Sequence, residues 1–176
     1  MKYVIHRGIT NKYIKENSYC AIKRALMDVN SSGVEFDIRL TKDNVIVLSH
    51  DSIDIESSNY SDIIKKKYLS TLDVILGINT KKILLIDIKV RNNYKRFAKE
   101  IVKYLDDINN KNIYLASFNK KIIKYLKKKT NYKLGYITFK NTKNNNYFEV
   151  INFITLSKNN INKYPNKEIF LWTIHN

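Results

Sequence analysis

The chain has 176 residues, room for one domain (1–176) with a buried core, and carries 32 lysines and arginines against 16 acids for a net charge of +16. That charge invites a nucleic-acid partner, yet lysine greatly outnumbers arginine while Asn, Ile and Tyr abound everywhere. Such a bias follows AT-rich coding rather than a phosphate-reading surface, and argues against nucleic acid. A lone Cys20 excludes an internal disulfide, no apolar run approaches the ~18 residues of a membrane span, and Lys2 onward lacks signal-peptide order, so a cytoplasmic protein is expected.

Taken in order, Tyr3 to Ile5 is a short strand running into His6-Arg7-Gly8. Ser18 to Val29 is a helix with Ser18 as N-cap and Ala21, Ile22, Ala25, Leu26 and Val29 at helical spacing, Cys20 being placed on its apolar face as an inert buried thiol. Val34 to Leu40 is a second strand, with a coupled extended segment at Val45 to Ser49. Asp51 to Tyr68 is polar and is expected to be loop with a helical turn, then Thr71 to Leu76 a short helix. Strands recur at Ile83 to Ile88, Ile113 to Ala116, Leu134 to Thr138, Val150 to Thr155 and Glu168 to Thr173, separated by helices at Tyr94 to Leu105 and Phe118 to Lys128. Within the latter, the lysines from Lys120 to Lys129 interleave with Ile122, Ile123, Tyr125 and Leu126, the pattern of an amphipathic helix with a solvated basic face. The same face could attract anionic lipid in a peripheral membrane contact.

Alternating strands and helices predict a parallel α/β sheet. The acids, histidines and cations fall at the strand ends: His6 and Arg7 after the first, Glu35 and Asp37 on the second, His50 after the extended segment, Asp87 and Lys89 closing the next. In a barrel such ends converge on one mouth. Residues two apart on a strand share a face, so Glu35 points with Asp37, and Asp87 with Lys89. Inward carboxylates on apolar strands need a partner. A hard divalent cation, Mg²⁺ or Ca²⁺, suits them, whereas internal ion pairs explain one such strand end more easily than four.

The order of these residues resembles the glycerophosphodiester phosphodiesterases. The motifs are His6-Arg7-Gly8, Glu16-Asn17-Ser18, Glu35-Phe36-Asp37, Thr41-Lys42-Asp43, His50-Asp51 and Asp87-Ile88-Lys89, then Ser117-Phe118 and Trp172-Thr173. The resemblance implies a TIM-type (β/α) barrel that cleaves glycerophosphodiesters to an alcohol and glycerol 3-phosphate. It implies a metal held by Glu35, Asp37 and Asp87, an acid–base pair of His6 and His50, and phosphate contacts from Arg7 and Lys89. Glu16 and Asn17 would orient the His6 loop, and Trp172 would stand at the substrate mouth or in the core. His175 lies where an exposed rim position is expected. Histidine suits both proton transfers of diester hydrolysis near neutrality; whether His6 attacks phosphorus or activates a nucleophile stays open.

Three departures qualify the resemblance. Asp87 replaces the usual Glu, as in the related sphingomyelinase D enzymes. The segment after His50 is short, so a bulkier lysophospholipid could enter, as in a lysophospholipase D. The last βα unit is missing, so a barrel truncated to seven strands is expected, its open seam narrowed by Tyr3 and Trp172 or covered in a homodimer. A non-catalytic barrel binding anionic lipid or nucleic acid is the remaining alternative.

Overall fold

A computed structural model describes residues 2–51, 54–67, 69–139, 147–152 and 168–172 of the chain. In order the elements are β1 (Val4–His6), α1 (Tyr19–Met27), β2 (Gly33–Leu40), β3 (Ile46–Leu48), α2 (Tyr60–Lys67), α3 (Leu72–Leu76), β4 (Ile83–Ile88), α4 (Tyr94–Leu105), β5 (Ile113–Ser117), α5 (Lys120–Leu126), β6 (Lys133–Thr138), β7 (Phe148–Asn152) and β8 (Ile169–Trp172). Seven strands pair in parallel in the order β1-β2-β4-β5-β6-β7-β8, while β3 folds back antiparallel onto the end of β2.

The strand sequences explain why both faces are covered. β4 reads Ile-Leu-Leu-Ile-Asp-Ile and is buried throughout, as expected of a parallel strand packed on two sides. Leu84, Ile86 and Ile88 join the core under the helices, with Phe36, Ile38, Leu115 and Ile122. Ile83 and Leu85 point the other way into an inner cluster with Tyr114, Ala116, Ile137, Phe148 and Val150. Val4 on β1 and Phe170 on β8 both pack against that inner cluster. Opposite edges of the sheet reach one core only if the sheet curls. The result is the expected seven-stranded, incompletely closed barrel: among the described residues β1 pairs only with β2, and β8 only with β7.

Several boundaries differ from expectation for local reasons. β1 extends to His6, so the histidine itself is strand-terminal. Ser18 caps α1 by accepting from Ala21 N (3.2 Å), but the helix ends at Met27 with Asp28 as its C-cap. Val29 is therefore out on the surface, 92% exposed, despite its helical spacing. Cys20 is also exposed, correcting its placement on the buried face: the buried stripe is Ala21, Ile22, Ala25 and Leu26, and one residue's step turns Cys20 away. Asp43 carries more structure than expected into the following polar segment, because its carboxylate accepts from Tyr60 N at the start of α2 (2.9 Å). α5 is shorter than expected, capped by Asn119, which accepts from Lys121 N (2.9 Å). Its Ile122, Ile123 and Leu126 are buried while Lys120, Lys121 and Lys124 are exposed, the amphipathic arrangement expected of it. Among the described residues no helix is long and apolar enough to cross a membrane.

Candidate active site

The site begins as a consequence of strand alternation. On β2, Glu35, Asp37 and Arg39 share a phase, and β2 pairs with β4 so that Asp37 stands opposite Asp87. β1 pairs on the other side of β2, setting His6 beside Glu35. Carboxylate oxygens of Glu35, Asp37 and Asp87 consequently lie within 4.8 Å of one another. His6 Nε2 is 3.8 Å from Glu35 Oε2.

Asp37 is almost fully buried and intensely partnered. Asn17 Nδ2 donates to its Oδ2 (2.8 Å), while the Asp37 backbone N–H donates to Asn17 Oδ1 (3.0 Å). Lys89 Nζ is 3.1 Å from Asp37 Oδ1 and also binds Asp87 Oδ2. Arg7 Nε lies 3.2 Å from Asp37 Oδ2 but in an alignment that makes no hydrogen bond. Its Nη1 instead pairs with Glu16 Oε1 (2.9 Å), and its backbone N–H donates to the Glu35 carbonyl (2.9 Å). Glu16 thus steers Arg7, while Asn17 fastens Asp37 rather than the His6 loop alone.

The β1–α1 turn that carries these groups is strained. Arg7 and Asn17 adopt left-handed φ values of 55° and 54°, followed at Gly8 by 86°. A Cβ on Gly8 would stand 2.5 Å from the Ala21 carbonyl carbon, so only glycine fits there. Such strain at non-glycine residues persists where surrounding contacts fix it, often at functional sites.

His50 reaches the same mouth from the end of β3. Its Nδ1 is 3.1 Å from Asp51 Oδ1, leaving Nε2 for other partners. Arg39, which the sequence reading did not assign, holds it in place: Nε and Nη2 both donate to the His50 carbonyl (3.0 and 2.6 Å). Its Nη1 reaches Glu56 (3.3 Å) and the Lys89 carbonyl (3.5 Å). The signal for Arg39 was its phase with Glu35 and Asp37. Ser117 similarly ties β5 to β4 by donating to the Ile88 carbonyl (2.6 Å).

Electrostatics follow from crowding. Burial, then the charges of Asp37 and Asp87, push the Glu35 carboxyl well above its ordinary range. Burial raises Asp87 to about 6, against the opposing pull of Lys89. Burial and then the Arg7 charge lower His6, which favours its neutral form. Lys89 is held above its usual value because Asp87 and Asp37 together outweigh its burial.

The donor set fits a divalent cation. Among the described residues Asp87 Oδ1 is buried without a hydrogen-bond partner, and two of the three mutually repelling carboxylates, Asp37 and Asp87, share the Lys89 ammonium. Hard oxygen donors of this kind are what Mg²⁺ or Ca²⁺ takes. Two residues of the expected set fall outside this geometry: Trp172 has only its backbone described, opposite Asn152 on β7, and His175 lies outside the described residues. A groove of about 310 Å³ opens beside Lys89. A larger one of about 570 Å³, lined by Leu105, Lys111 and Tyr132 among others, lies at the opposite ends of β5 and β6, away from the carboxylates.

Comparison with known proteins finds likenesses in sequence and in fold. The model of the glycerophosphoryl diester phosphodiesterase family matches residues 6–58. A glycerophosphodiester phosphodiesterase of Caldanaerobacter subterraneus subsp. tengcongensis is 25% identical over 150 residues, covering 71% of this chain and 61% of that protein. The chain thus spans about three-fifths of the length of that curated relative. Among solved structures, a glycerophosphodiester phosphodiesterase from Parabacteroides distasonis superposes with a TM-score of 0.85 at 21% identity, over 99% of this chain and 84% of that one. One from Thermotoga maritima gives 0.75 at 23% identity, over 98% and 85%.

Proposed function

We propose that this chain, which resembles the glycerophosphoryl diester phosphodiesterase family over residues 6–58, hydrolyses glycerophosphodiesters, releasing an alcohol and glycerol 3-phosphate. The observation that carries the reading is the meeting of Glu35, Asp37 and Asp87 oxygens within 4.8 Å at a mouth flanked by two histidines.

Glu35, Asp37 and Asp87 would hold a divalent cation, which when bound supplies charge stabilisation to phosphoryl oxygens. Arg7 and Lys89 are the cations nearest those carboxylates, and they would take phosphate oxygens of the diester. Water's oxygen bonds to phosphorus as the bond from phosphorus to the alcohol oxygen breaks. One proton must leave the water and one must reach the departing alkoxide. His6 and His50 divide this work. His6, kept neutral by burial and by Arg7, is suited to accept a proton. His50, with Nδ1 turned to Asp51, is suited to donate from Nε2. Asn17 and Glu16 hold Asp37 and Arg7 in register for this.

The test is a product assay on glycerophosphocholine, glycerophosphoethanolamine and glycerophosphoglycerol. Glycerol 3-phosphate and the free alcohol in equal amounts is the expected outcome. Absence of turnover on all of them in the presence of Mg²⁺ and of Ca²⁺ would reject the proposal.

A further inference from the structure

Lys89 belongs to the phosphate contacts of the proposed reaction, yet its ammonium rests on the carboxylates that would hold the metal. Nζ is 3.1 Å from Asp37 Oδ1 and 2.5 Å from Asp87 Oδ2, and the lysine side chain is only 17% exposed. Which oxygen it takes matters. Asp37 Oδ2 already accepts from Asn17 Nδ2 at 2.8 Å, with Arg7 Nε 3.2 Å away. Oδ1 is therefore the Asp37 oxygen left for a cation, and Lys89 is on it. A divalent ion stands roughly 2.0–2.6 Å from its oxygen donors. Ion and ammonium would then lie a few ångströms apart in a buried setting, where like charges repel strongly.

Of the two cations, Lys89 is the one able to give way. Arg7 sits on a left-handed backbone (φ 55°) and its Nη1 is tied to Glu16 Oε1 at 2.9 Å. Lys89 carries its charge on a flexible four-carbon stem, beside a groove of about 310 Å³ that Arg39, Arg91 and Phe118 help to line. The Phe118 ring lies 5.7 Å from Nζ, within reach of a cation–π contact for an ammonium turning outward. There it would join two guanidinium groups in a wall suited to an anion. With all three acids ionised, Lys89 and Arg7 leave the cluster one negative charge. A divalent ion turns that into one positive charge, which the single charge of a diester balances.

We propose that Lys89 is a built-in competitor of the metal, whose ammonium leaves Asp37 and Asp87 as the cation enters and turns to the groove to meet the diester's phosphate. This rests on the metal and diesterase readings above, and adds that the phosphate-binding lysine holds down affinity for the bare metal. No covalent bond changes in the step, and the ammonium keeps its protons throughout.

Calorimetric titration of Mg²⁺ and of Ca²⁺ into metal-stripped protein, with no diester present, tests it by comparing wild type with Lys89→Met, whose unbranched stem carries no charge. Lys89→Met is expected to bind the metal about tenfold tighter or more, within the ordinary range for coupled sites. In EDTA it should also melt below the wild type, and saturating metal should raise its melting temperature by more. Should Lys89→Met fail to fold, Lys89→Gln, neutral yet still a donor, carries the same comparison. Equal or weaker metal binding by the neutral variant overturns the proposal, because a lysine that only bound phosphate would leave affinity for the bare ion unchanged. No binding by any of the proteins overturns the proposal and the metal reading together. Tighter binding by the neutral variant, with no turnover of any diester by the wild type, upholds the proposal while the diesterase reading fails.

Discussion

The two halves of the curled sheet have the same alternation and opposite contents. On β1, β2 and β4 the inward positions near the mouth are His6, Glu35, Asp37, Arg39 and Asp87. On β5, β6 and β7 they are Tyr114, Ala116, Ile137, Phe148 and Val150. The first half buries charge against charge and keeps Arg7 and Asn17 beside it in left-handed conformations; the inner face of the second buries hydrocarbon. One half therefore stores unfavourable electrostatics that a ligand can relieve, and the other supplies the burial that lets the fold tolerate them. The two should respond to mutation in different quantities.

The largest effect should come from the polar half. Asp37→Asn removes a charge that Asn17, Arg7 and Lys89 all address, and is expected to lower turnover on the order of 10³-fold. Circular dichroism should show an unchanged fold; a variant that unfolds instead would mean the cluster is structural. His6→Ala and His50→Ala should each lower kcat by about 10²–10⁴-fold, with His175→Ala nearly silent in the same assay. Essential His175 with dispensable His50 would reverse the assignment.

Next comes Arg39→Met. The guanidinium touches no proposed substrate group but fixes the His50 carbonyl with two N–H groups. Displacing a catalytic group by about 1 Å can cost about 10²-fold, so kcat should fall with little change in KM, and the acidic or basic limb of the pH–rate profile should move. An unaltered profile would reduce Arg39 to a structural tie. In the apolar half, Ile137→Ala should instead destabilise the fold by about 2–5 kcal/mol, with activity per folded molecule largely retained.

The smallest effect is a pH signature. Asp87 has a folded value of about 6, above its ordinary range. A raised carboxyl stabilises the fold at pH below its unfolded value and loses that contribution as pH rises through about 6. Metal-free wild type should therefore lose stability between pH 5 and 7.5 relative to Asp87→Asn, by about 1.4 kcal/mol, because about one pH unit of the shift falls in that window. Thermal melts of the two proteins at both pH values give the comparison; parallel curves would contradict it.

How much of this was legible in the sequence follows the same division. β4 and α4 were bounded correctly because Ile83–Ile88 is an unbroken apolar run and Tyr94–Leu105 keeps helical period. The carboxylate cluster was legible because alternation on one strand fixes which side chains share a face, and parallel pairing aligned Asp37 with Asp87. What was not legible depended on contacts between distant segments. Val29 had the right spacing for α1, yet Asp28 had already ended the helix. Arg39's grip on His50 needed the return of β3 onto β2. The pairing of Phe118 with Phe139 needed adjacent strands to place two side chains from separate loops together.

The most direct test of the central claim is activity after removal of divalent cations. Overnight dialysis against EDTA should abolish glycerophosphodiester hydrolysis, and Mg²⁺ or Ca²⁺ should restore it in wild type but not in Asp37→Asn. Full turnover by the wild type in excess EDTA would contradict the account, because Glu35, Asp37 and Asp87 would then have been brought within 4.8 Å for some purpose other than holding a metal.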